Sequence, residues 1–200
     1  MIYIYGCGGR GKLIKELLLR LNEKIKNITF IDDYKKNSKK QSFLLKNYDY
    51  KKDKLYIGIA DPKIQKIKYL FFKSKLKYID NEALIDPNVI LKSNVKLEKN
   101  TIILENTSIG PDVKISQNVF IGAHVIVNHG CKIGKFTTIS HGVNMSGYVN
   151  VGQNCYVGSS STIKQKIKID HNVVIGIGSN IIKNCSSNST YFGNPGDKKN

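Results

Sequence analysis

The sequence contains no tryptophan and only four prolines, four cysteines and two methionines among its 200 residues. No apolar run approaches the about 18 residues that a transmembrane helix needs, so we expect no membrane-spanning segment. No basic region precedes an apolar stretch at the N-terminus, so we expect no secretory signal. With 40% hydrophobic and 24% charged residues, the composition is that of an ordinary globular protein.

The four cysteines form no CxxC pair and no zinc-binding spacing, which disfavours a metal centre. They are Cys7, Cys131, Cys155 and Cys185, and the last three fall at small-residue positions of the repeat described below. We therefore expect reduced, packed thiols and a reducing, cytoplasmic location.

Arginine is scarce in spite of a formal net charge of +17. Arg10 and Arg20 stand beside thirty lysines, whereas recognition of phosphates and bases in nucleic acids favours the planar arginine side chain. The charge is also uneven, because residues 1–78 carry twenty basic and seven acidic side chains and residues 79–200 carry twelve and eight. The charge therefore marks two segments but does not by itself indicate a function.

Residues 79–185 repeat with a period of six. All eighteen first positions, from Ile79 to Ile181, are aliphatic or methionine, and the fifth positions, from Ala83 to Cys185, are small or β-branched. Glycine is frequent at the second position, which we attribute to a tight corner. This period is typical of a parallel β-helix, in which three rows form one triangular coil and every third row stacks. Eighteen rows predict six coils, with the first positions filling the interior.

Residues 1–78 alternate between strand-like and helix-like patterns. Strands are predicted over residues 2–5, 28–31 and 55–59. A helix is predicted after the first strand, and Asp61-Pro62 predicts the start of another after the third. The two helical faces comprise Leu13, Ile14, Leu17, Leu18 and Leu21, and Ile64, Ile67, Leu70 and Phe71. The pattern is βαβαβ, about one half of a Rossmann sheet.

A GxGxxG motif, formed by Gly6, Gly8 and Gly11, connects the first strand to the first helix. Glycines let the backbone approach a diphosphate, and a helix N-terminus supplies amide donors. Asp32 ends the second strand, where a carboxylate can accept a hydrogen bond from a ribose hydroxyl. The motif suggests NAD, but this segment supplies only one half of the fold that a dinucleotide spans, so a nucleoside diphosphate fits better. A glycine-rich turn without a ligand is the alternative.

The four histidines are candidates for acid–base chemistry. His129 occupies the third position of its row, and Gly147, three rows further on, is predicted to stack on it. An imidazole can deprotonate a nucleophile and a backbone amide can stabilise an oxyanion, so the pair suits acyl transfer. His171 lies on another column and is interpreted as a surface residue. No histidine precedes His124, which disfavours a three-histidine zinc site. A further corner column comprises His141, Ser159 and Ile177.

Together these features resemble one family. They are the glycine-rich half-Rossmann unit, the strand end Ile31-Asp32-Asp33, the uninterrupted hexapeptide repeat, the segment Asn128-His129-x-Cys131-x-Ile133-Gly134 and the closing Tyr191-Phe192-Gly193-Asn194-Pro195-Gly196. The sequence is similar to the sialic-acid O-acyltransferase type of hexapeptide-repeat transferases, which includes bacterial N-acetyltransferases of UDP-4-amino-sugars. The resemblance implies a left-handed β-helix of about six coils, a homotrimer with active sites between neighbouring prisms, and acetyl-CoA as co-substrate. The acceptor that it implies is a nucleotide-linked 4-amino-6-deoxysugar.

The resemblance also implies roles for segments and residues. Residues 1–78 would bind the nucleotide sugar and residues 79–200 would carry out acetyl transfer, without a metal. His129 would be the general base, and Gly147 would face the thioester. The sugar diphosphate would be held by Gly8, Gly9, Arg10 and Gly11, and the nucleoside by Asp32 and Asp33. The acetyl-CoA groove would be lined by Thr138, Gly147, Ser159, Ile177, Gly193 and Pro195.

Three positions depart from the family pattern. Gly130 stands where an acid commonly follows the catalytic histidine, so either another acid orients His129 or the base is weaker. Arg10 and Thr138 each replace a frequent histidine. The leading hypothesis is acetyl-CoA-dependent N-acetylation of the 4-amino group of a nucleotide-linked 4-amino-4,6-dideoxyhexose, with UDP, GDP and dTDP all open. The alternatives are O-acetylation of a sugar such as sialic acid, a non-catalytic nucleotide-sugar-binding scaffold and a nucleic-acid binder.

Overall fold

The computed structural model describes residues 1–36 and 38–199. The chain divides into two compact units, Met1–Asn81 and Glu82–Asn200. Among the described residues, no helix is both long and apolar enough to cross a lipid bilayer.

Among its described residues, the first unit has a three-stranded parallel sheet and three helices. The strands predicted at residues 2–5 and 28–31 are confirmed, and the third lies slightly earlier than expected. In chain order the elements are β1 (Ile2–Tyr5), α1 (Gly9–Arg20), a 3-10 turn (Ile25–Asn27), β2 (Ile28–Ile31), α2 (Gln41–Asn47), β3 (Lys54–Ile57) and α3 (Pro62–Lys75).

The strand order of this sheet is β2-β1-β3, with all strands parallel. In the classic Rossmann half the first strand lies at one side of the three, whereas here β1 lies in the centre, as in flavodoxin-like sheets. The chain therefore moves from β1 to β2 in one direction along the sheet and returns past β1 to reach β3. This reversal opens a crevice at the carboxyl ends of β1 and β3, where α/β proteins bind ligands.

Helix α3 starts where the sequence predicted but turns a different face inward. The Asp61 carboxylate caps it by accepting hydrogen bonds from two amides of the first turn. Aromatic rings set its phase, because Phe72 packs edge-on against Tyr5 with ring centroids 5.0 Å apart. The buried residues include Gln65, Tyr69 and Phe72, whereas Ile64, Ile67 and Leu70 of the predicted face are exposed. In α1, by contrast, Ile14, Leu17 and Leu18 are buried as predicted.

The second unit is a left-handed parallel β-helix of about six turns, as predicted. Seventeen two-residue strands form three parallel sheets, and residues three rows apart in sequence are paired across each sheet. The strands are β4 (Leu84–Ile85), β5 (Ile90–Leu91), β6 (Lys96–Leu97), β7 (Ile102–Ile103), β8 (Ser108–Ile109), β9 (Lys114–Ile115), β10 (Phe120–Ile121), β11 (Ile126–Val127), β12 (Lys132–Ile133), β13 (Thr138–Ile139), β14 (Asn144–Met145), β15 (Asn150–Val151), β16 (Tyr156–Val157), β17 (Thr162–Ile163), β18 (Lys168–Ile169), β19 (Val174–Ile175) and β20 (Asn180–Ile181). A closing antiparallel hairpin follows, formed by β21 (Thr190–Gly193) and β22 (Gly196–Lys198).

The aliphatic first positions form the interior of the prism. From Ile103 to Ile181 each is at most 1% exposed. Leu91, in the first coil, is 42% exposed because no earlier coil of this unit covers it. Ile79 lies before the second unit begins, so this first position is not part of the solenoid interior.

Buried hydroxyl and thiol groups at the fifth positions donate to backbone carbonyls. Thr137 Oγ1 donates to the carbonyl of Gly152 at 2.7 Å, and Cys131 Sγ to that of Ser146 at 3.2 Å. Burial raises the pKa of Cys131 and Cys155 to about 11 and that of Cys185 to about 12. These three thiols are therefore packed core groups rather than nucleophiles, as the sequence predicted.

The glycines at the second position serve close stacking, so our attribution to a tight corner is wrong. The left-handed residue of each corner stands at the fourth position, where φ lies near +60° in fifteen consecutive rows from Asn94 to Gly178. Asparagine is frequent there because it tolerates this conformation. At the second position, a Cβ on Gly122 would lie 2.7 Å from the backbone nitrogen of His141 in the next coil.

Candidate active site

The structure brings His129 and Gly147 together at one corner of the solenoid. His129 is exposed in the turn between β11 and β12, and Gly147 lies buried one coil further on. A Cβ on Gly147 would lie 2.6 Å from Cε1 of His129 and would also strike Nε2. Glycine is therefore the residue that lets the imidazole lie with its Nε2 edge against this turn.

The backbone of Gly147 offers a hydrogen-bond donor beside that imidazole. Within residues 1–36 and 38–199, no acceptor is found for the Gly147 amide. Its carbonyl, in contrast, accepts from the amide of Lys166 at 2.9 Å. An imidazole and an unused amide thus lie side by side, and an acyl transfer can use such a pair as base and oxyanion donor.

Two other histidines occupy equivalent turns but are tied to the backbone. His141 Nδ1 accepts a hydrogen bond from the amide of Ala123 at 3.0 Å, and His171 Nδ1 accepts one from Gln153 at 3.0 Å. The imidazole of His129 makes no such bond to any described residue. No group of three histidine, cysteine or acidic residues within the described chain is placed to hold a metal ion.

Gly130 stands where the family pattern has an acid, and an aromatic ring occupies the space that a side chain at residue 130 would need. A Cβ on Gly130 would lie 2.6 Å from Cδ1 and Cε1 of Tyr148, which stacks on it from the next coil. The Tyr148 ring also contacts His129, with ring centroids 4.9 Å apart and the planes at 85°. The sequence did not lead us to Tyr148 as a neighbour of His129, although its position three rows after Gly130 was a usable signal.

The residues expected around CoA fall mainly at a different corner. Ser159 and Ile177 share the turn column between the sheets that contain β13 and β14, and Ile177 is 79% exposed. The amide of Gly193 donates to Ser179 Oγ at 3.3 Å, which brings the closing hairpin to this column. Pro195 is exposed in the same hairpin. Thr138 is 1% exposed, which leaves it no surface on which to contact a ligand.

The first unit has a cavity of about 480 Å³ at the carboxyl ends of its strands, where the strand order reverses. Its volume is within the range of ordinary small-molecule sites. The lining includes Gly8, Gly9 and Arg10 after β1, Asp32 after β2, Ile59 after β3, and Lys68 of α3. The sequence did not lead us to Lys68 as a lining residue. The available indication was that Lys68 lies one helical turn after Ile64 on the same helix.

The glycines of the GxGxxG motif serve two different purposes. A Cβ on Gly11 would collide with the carbonyl oxygen of Gly6, and one on Gly58 would lie 2.7 Å from the Gly11 Cα. These three glycines let α1 pack closely against the loops after β1 and β3. At Gly8 and Gly9, in contrast, an added Cβ would meet no atom of the described residues within 4 Å, so none of these residues requires glycine there.

The charged residues of this cavity are held by the backbone. Arg10 is 7% exposed, and its Nη1 donates to the carbonyl of Ile59 at 3.0 Å, so the guanidinium reaches from α1 to the loop after β3. The Asp32 carboxylate accepts the amide of Cys7 at 3.0 Å, which fixes the glycine-rich loop. Asp33 accepts from Tyr5 Oη and from the amide of Gln41, and it is not among the residues that line the cavity.

The fold defines the class of protein: an α/β unit with a cavity at its strand ends, followed by a hexapeptide-repeat β-helix with a histidine–glycine corner. Residues 1–69 match the PglD N-terminal domain family. No curated protein sequence matches the chain.

Solved structures match the chain over almost its full length. The acetyltransferase domain of PglB from Neisseria gonorrhoeae FA1090, in complex with acetyl coenzyme A, has a TM-score of 0.90 at 19% identity, covering 99% of this chain and 98% of that one. PerB from Caulobacter crescentus, in complex with CoA and GDP-perosamine, has a TM-score of 0.88 at 18% identity, covering 100% and 97%. WeeI from Acinetobacter baumannii AYE has a TM-score of 0.69 at 18% identity, covering 100% and 99%. At these identities the likeness establishes the fold.

Proposed function

We propose that this protein is an acetyl-CoA-dependent N-acetyltransferase that acetylates the 4-amino group of a nucleotide-linked 4-amino-4,6-dideoxyhexose. The observation that carries the proposal is the His129 imidazole against Gly147, in a chain whose other unit has a cavity of nucleotide-site size. Two proteins of the same fold support it, since one binds acetyl coenzyme A and the other binds CoA and GDP-perosamine.

The proposed reaction transfers the acetyl group directly. The sugar amine attacks the thioester carbonyl carbon while Nε2 of His129 accepts the proton that the amine loses. The Gly147 amide donates to the oxyanion of the tetrahedral intermediate. The carbon–sulfur bond then breaks, the imidazolium returns its proton to the CoA sulfur, and the amide product and free CoA leave.

The acceptor is proposed to bind in the cavity of the first unit. Gly8 and Gly9 leave room for the backbone to approach a diphosphate at the N-terminus of α1, whose amides and dipole favour an anion. Arg10 adds a positive charge there. Gly11, Asp32 and Asp33 support this site by packing or by hydrogen bonds to the backbone. The donor-side residues that we propose to contact CoA are Gly147, Ser159, Ile177, Gly193 and Pro195.

A homotrimer is proposed because the two halves of the donor site lie at opposite edges of one face of the prism. We call this the uncharged face; its outward residues are Ile90, Ser108, Ile126, Asn144, Thr162 and Asn180. His129 is in the turn after this face and Ser159 in the turn before it. A second copy packed on this face would bring its own Ser159 edge to the His129 edge of the first. The proposed location is the cytoplasm, where acetyl-CoA is available and unpaired cysteines stay reduced.

The test is incubation of the full-length protein with acetyl-CoA and a panel of UDP-, GDP- and dTDP-linked 4-amino-4,6-dideoxyhexoses, with free sialic acid beside them. We expect thiol release and an N-acetylated product with at least one nucleotide amino sugar, and none with sialic acid. Turnover of sialic acid instead would establish O-acetylation. Nucleotide-sugar binding without turnover of any amino sugar would overturn the enzymatic proposal in favour of a scaffold.

A further inference from the structure

Three histidines occupy the third position of their rows: His129, His141 and His171. At this position the backbone of the residue one coil earlier in the same column can hold the imidazole by a hydrogen bond. In His141 and His171 the Nδ1 atom accepts an amide hydrogen from the residue one coil earlier in the same column, at 3.0 Å in both cases. Such a bond uses the Nδ1 lone pair, so the neutral ring carries its proton on Nε2. In that tautomer Nε2 is a donor and cannot act as a base.

His129 differs because the residue one coil earlier in its column is Pro111, which has no amide hydrogen. No other described residue donates to its imidazole. Its Nε2 edge lies against the following coil at Gly147. Pro111, one coil earlier, lacks the amide hydrogen that would bind Nδ1 of His129. Gly147, one coil later, lacks the side chain that would displace the ring.

Tyr148 contacts the ring from the following coil. Its ring centroid lies 4.9 Å from that of His129 in an edge contact, the aromatic arrangement that packs favourably. Its backbone φ is +57°, a conformation that aromatic residues rarely adopt. The titratable side chains on the two turns stacked against His129 are Tyr148 and Asp112, and Asp112 accepts from Asn94 Nδ2 at 3.2 Å.

We propose that Pro111 and Tyr148 are positioning residues for His129. Pro111 leaves Nδ1 able to carry the proton of the neutral ring, so that Nε2 keeps its lone pair, and Tyr148 packs the ring against Gly147. Gly130 stands where the family pattern has an acid, so no acid orients His129 from that position. Pro111 and Tyr148, which the family resemblance does not include, orient the ring instead. This inference rests on the proposed role of His129 as the base.

The main test is Pro111→Ala, which restores an amide at a position where Ala123 already donates to His141. We expect kcat to fall about tenfold or more, with both KM values within about twofold, because the base is held in the wrong tautomer. Nitrogen-15 NMR of histidine-labelled protein should show the proton of His129 moving to Nε2.

The matched control is Gln153→Pro. Gln153 follows a glycine, as Pro111 does, and its amide holds His171. This variant should change the NMR signature of His171 and leave kcat at the wild-type value.

Variants of Tyr148 provide a second test, which does not depend on whether Pro111→Ala folds. Tyr148→Phe keeps the ring and should keep kcat within about twofold, whereas Tyr148→Ala should lower kcat with little change in KM. Provided that His129→Ala is inactive, either of two results would overturn the inference. One is wild-type kcat with an unchanged His129 tautomer in Pro111→Ala. The other is wild-type kcat in Tyr148→Ala. Full activity in His129→Ala would instead overturn the proposed function.

Discussion

Asp32 is a candidate ligand-binding residue, but its carboxylate is already used in hydrogen bonds to backbone amides that stabilise the fold. Its oxygens accept hydrogen bonds from the amides of Cys7, Tyr34 and Lys35 at 3.0 to 3.3 Å. Burial tends to raise the pKa of this carboxyl, but these amide hydrogen bonds outweigh burial, so the pKa lies below its ordinary value of 3.8. Asp32 therefore connects the end of β2 to the glycine-rich loop after β1.

This arrangement predicts a pH-dependent contribution to stability. Because the folded pKa is lowered, the contribution is fully present above the ordinary pKa of 3.8 and is lost as the pH falls through the lower folded value. We expect Asp32→Asn to lower Tm at neutral pH, and the difference from wild type to shrink at pH values below 3.8. Thermal unfolding of both full-length proteins from about pH 2 to pH 7 measures this. A difference that does not change with pH would contradict it.

At the residue scale the sequence predicted the partner of His129 but not the state of its ring. The stacking of every third row is enough to place Gly147 against His129. The tautomer depends on which way the ring turns and on which backbone groups it then meets, and these are properties of the folded turn. For the same reason the sequence did not show that Thr138 is buried.

At the scale of elements, the segment that runs from the end of β1 into the first turn of α1 combines fold and ligand requirements in one motif. Gly11 must be glycine because the Gly6 carbonyl occupies the place of its Cβ, whereas Gly9 faces open space. The motif was visible in the sequence, but this division was not, since it depends on how closely α1 approaches the strand ends.

Two alanine variants separate these requirements. Gly11→Ala should lower the free energy of unfolding by about 1–3 kcal/mol, because the added methyl group overlaps backbone atoms. Gly9→Ala should leave Tm close to wild type and weaken nucleoside-diphosphate binding, because the methyl group points into the space proposed for the ligand. Thermal unfolding and calorimetric titration with UDP, GDP and dTDP measure both effects. Weaker binding in neither variant, or equal loss of stability in both, would contradict this division.

The solenoid corners show where element-scale prediction succeeds and where it fails. The six-residue period fixed the strands because the inward positions must be aliphatic. The corner geometry was misassigned, because glycine signals both a left-handed φ and a close backbone approach, and the sequence alone does not distinguish them. In α3, Phe72 and Tyr69 rather than the aliphatic residues determine which face is buried.

At the scale of the whole molecule, the charge distribution of the solenoid indicates which of its three faces is least suited to meet another copy. The sheet adjoining the uncharged face is a lysine face, whose outward residues are Lys96, Lys114, Lys132, Asn150 and Lys168. Stacked lysines repel one another and are costly to bury. Ile90 and Ile126 on the uncharged face are about half exposed, and covering them is favourable.

The proposed trimer is tested by adding a charge to each face. Ile126→Lys should dissociate the assembly, because it buries an unpaired charge, and should lower activity because the site loses its second half. Asn150→Lys adds the same charge to the lysine face and should leave the mass unchanged. Light scattering coupled to size-exclusion chromatography gives the mass. A wild-type protein that is monomeric and fully active would contradict a site shared between copies.

The proposed role of His129 as the base for acetyl transfer can be tested by comparing two histidines in one assay. His129→Ala and His171→Ala remove imidazoles from the same turn position, but His171 is held by the backbone amide of Gln153. With acetyl-CoA and an accepted nucleotide amino sugar, we predict that thiol release falls roughly 10²- to 10⁴-fold in His129→Ala and is unchanged in His171→Ala. Equal activity in His129→Ala and the wild-type protein would contradict the account.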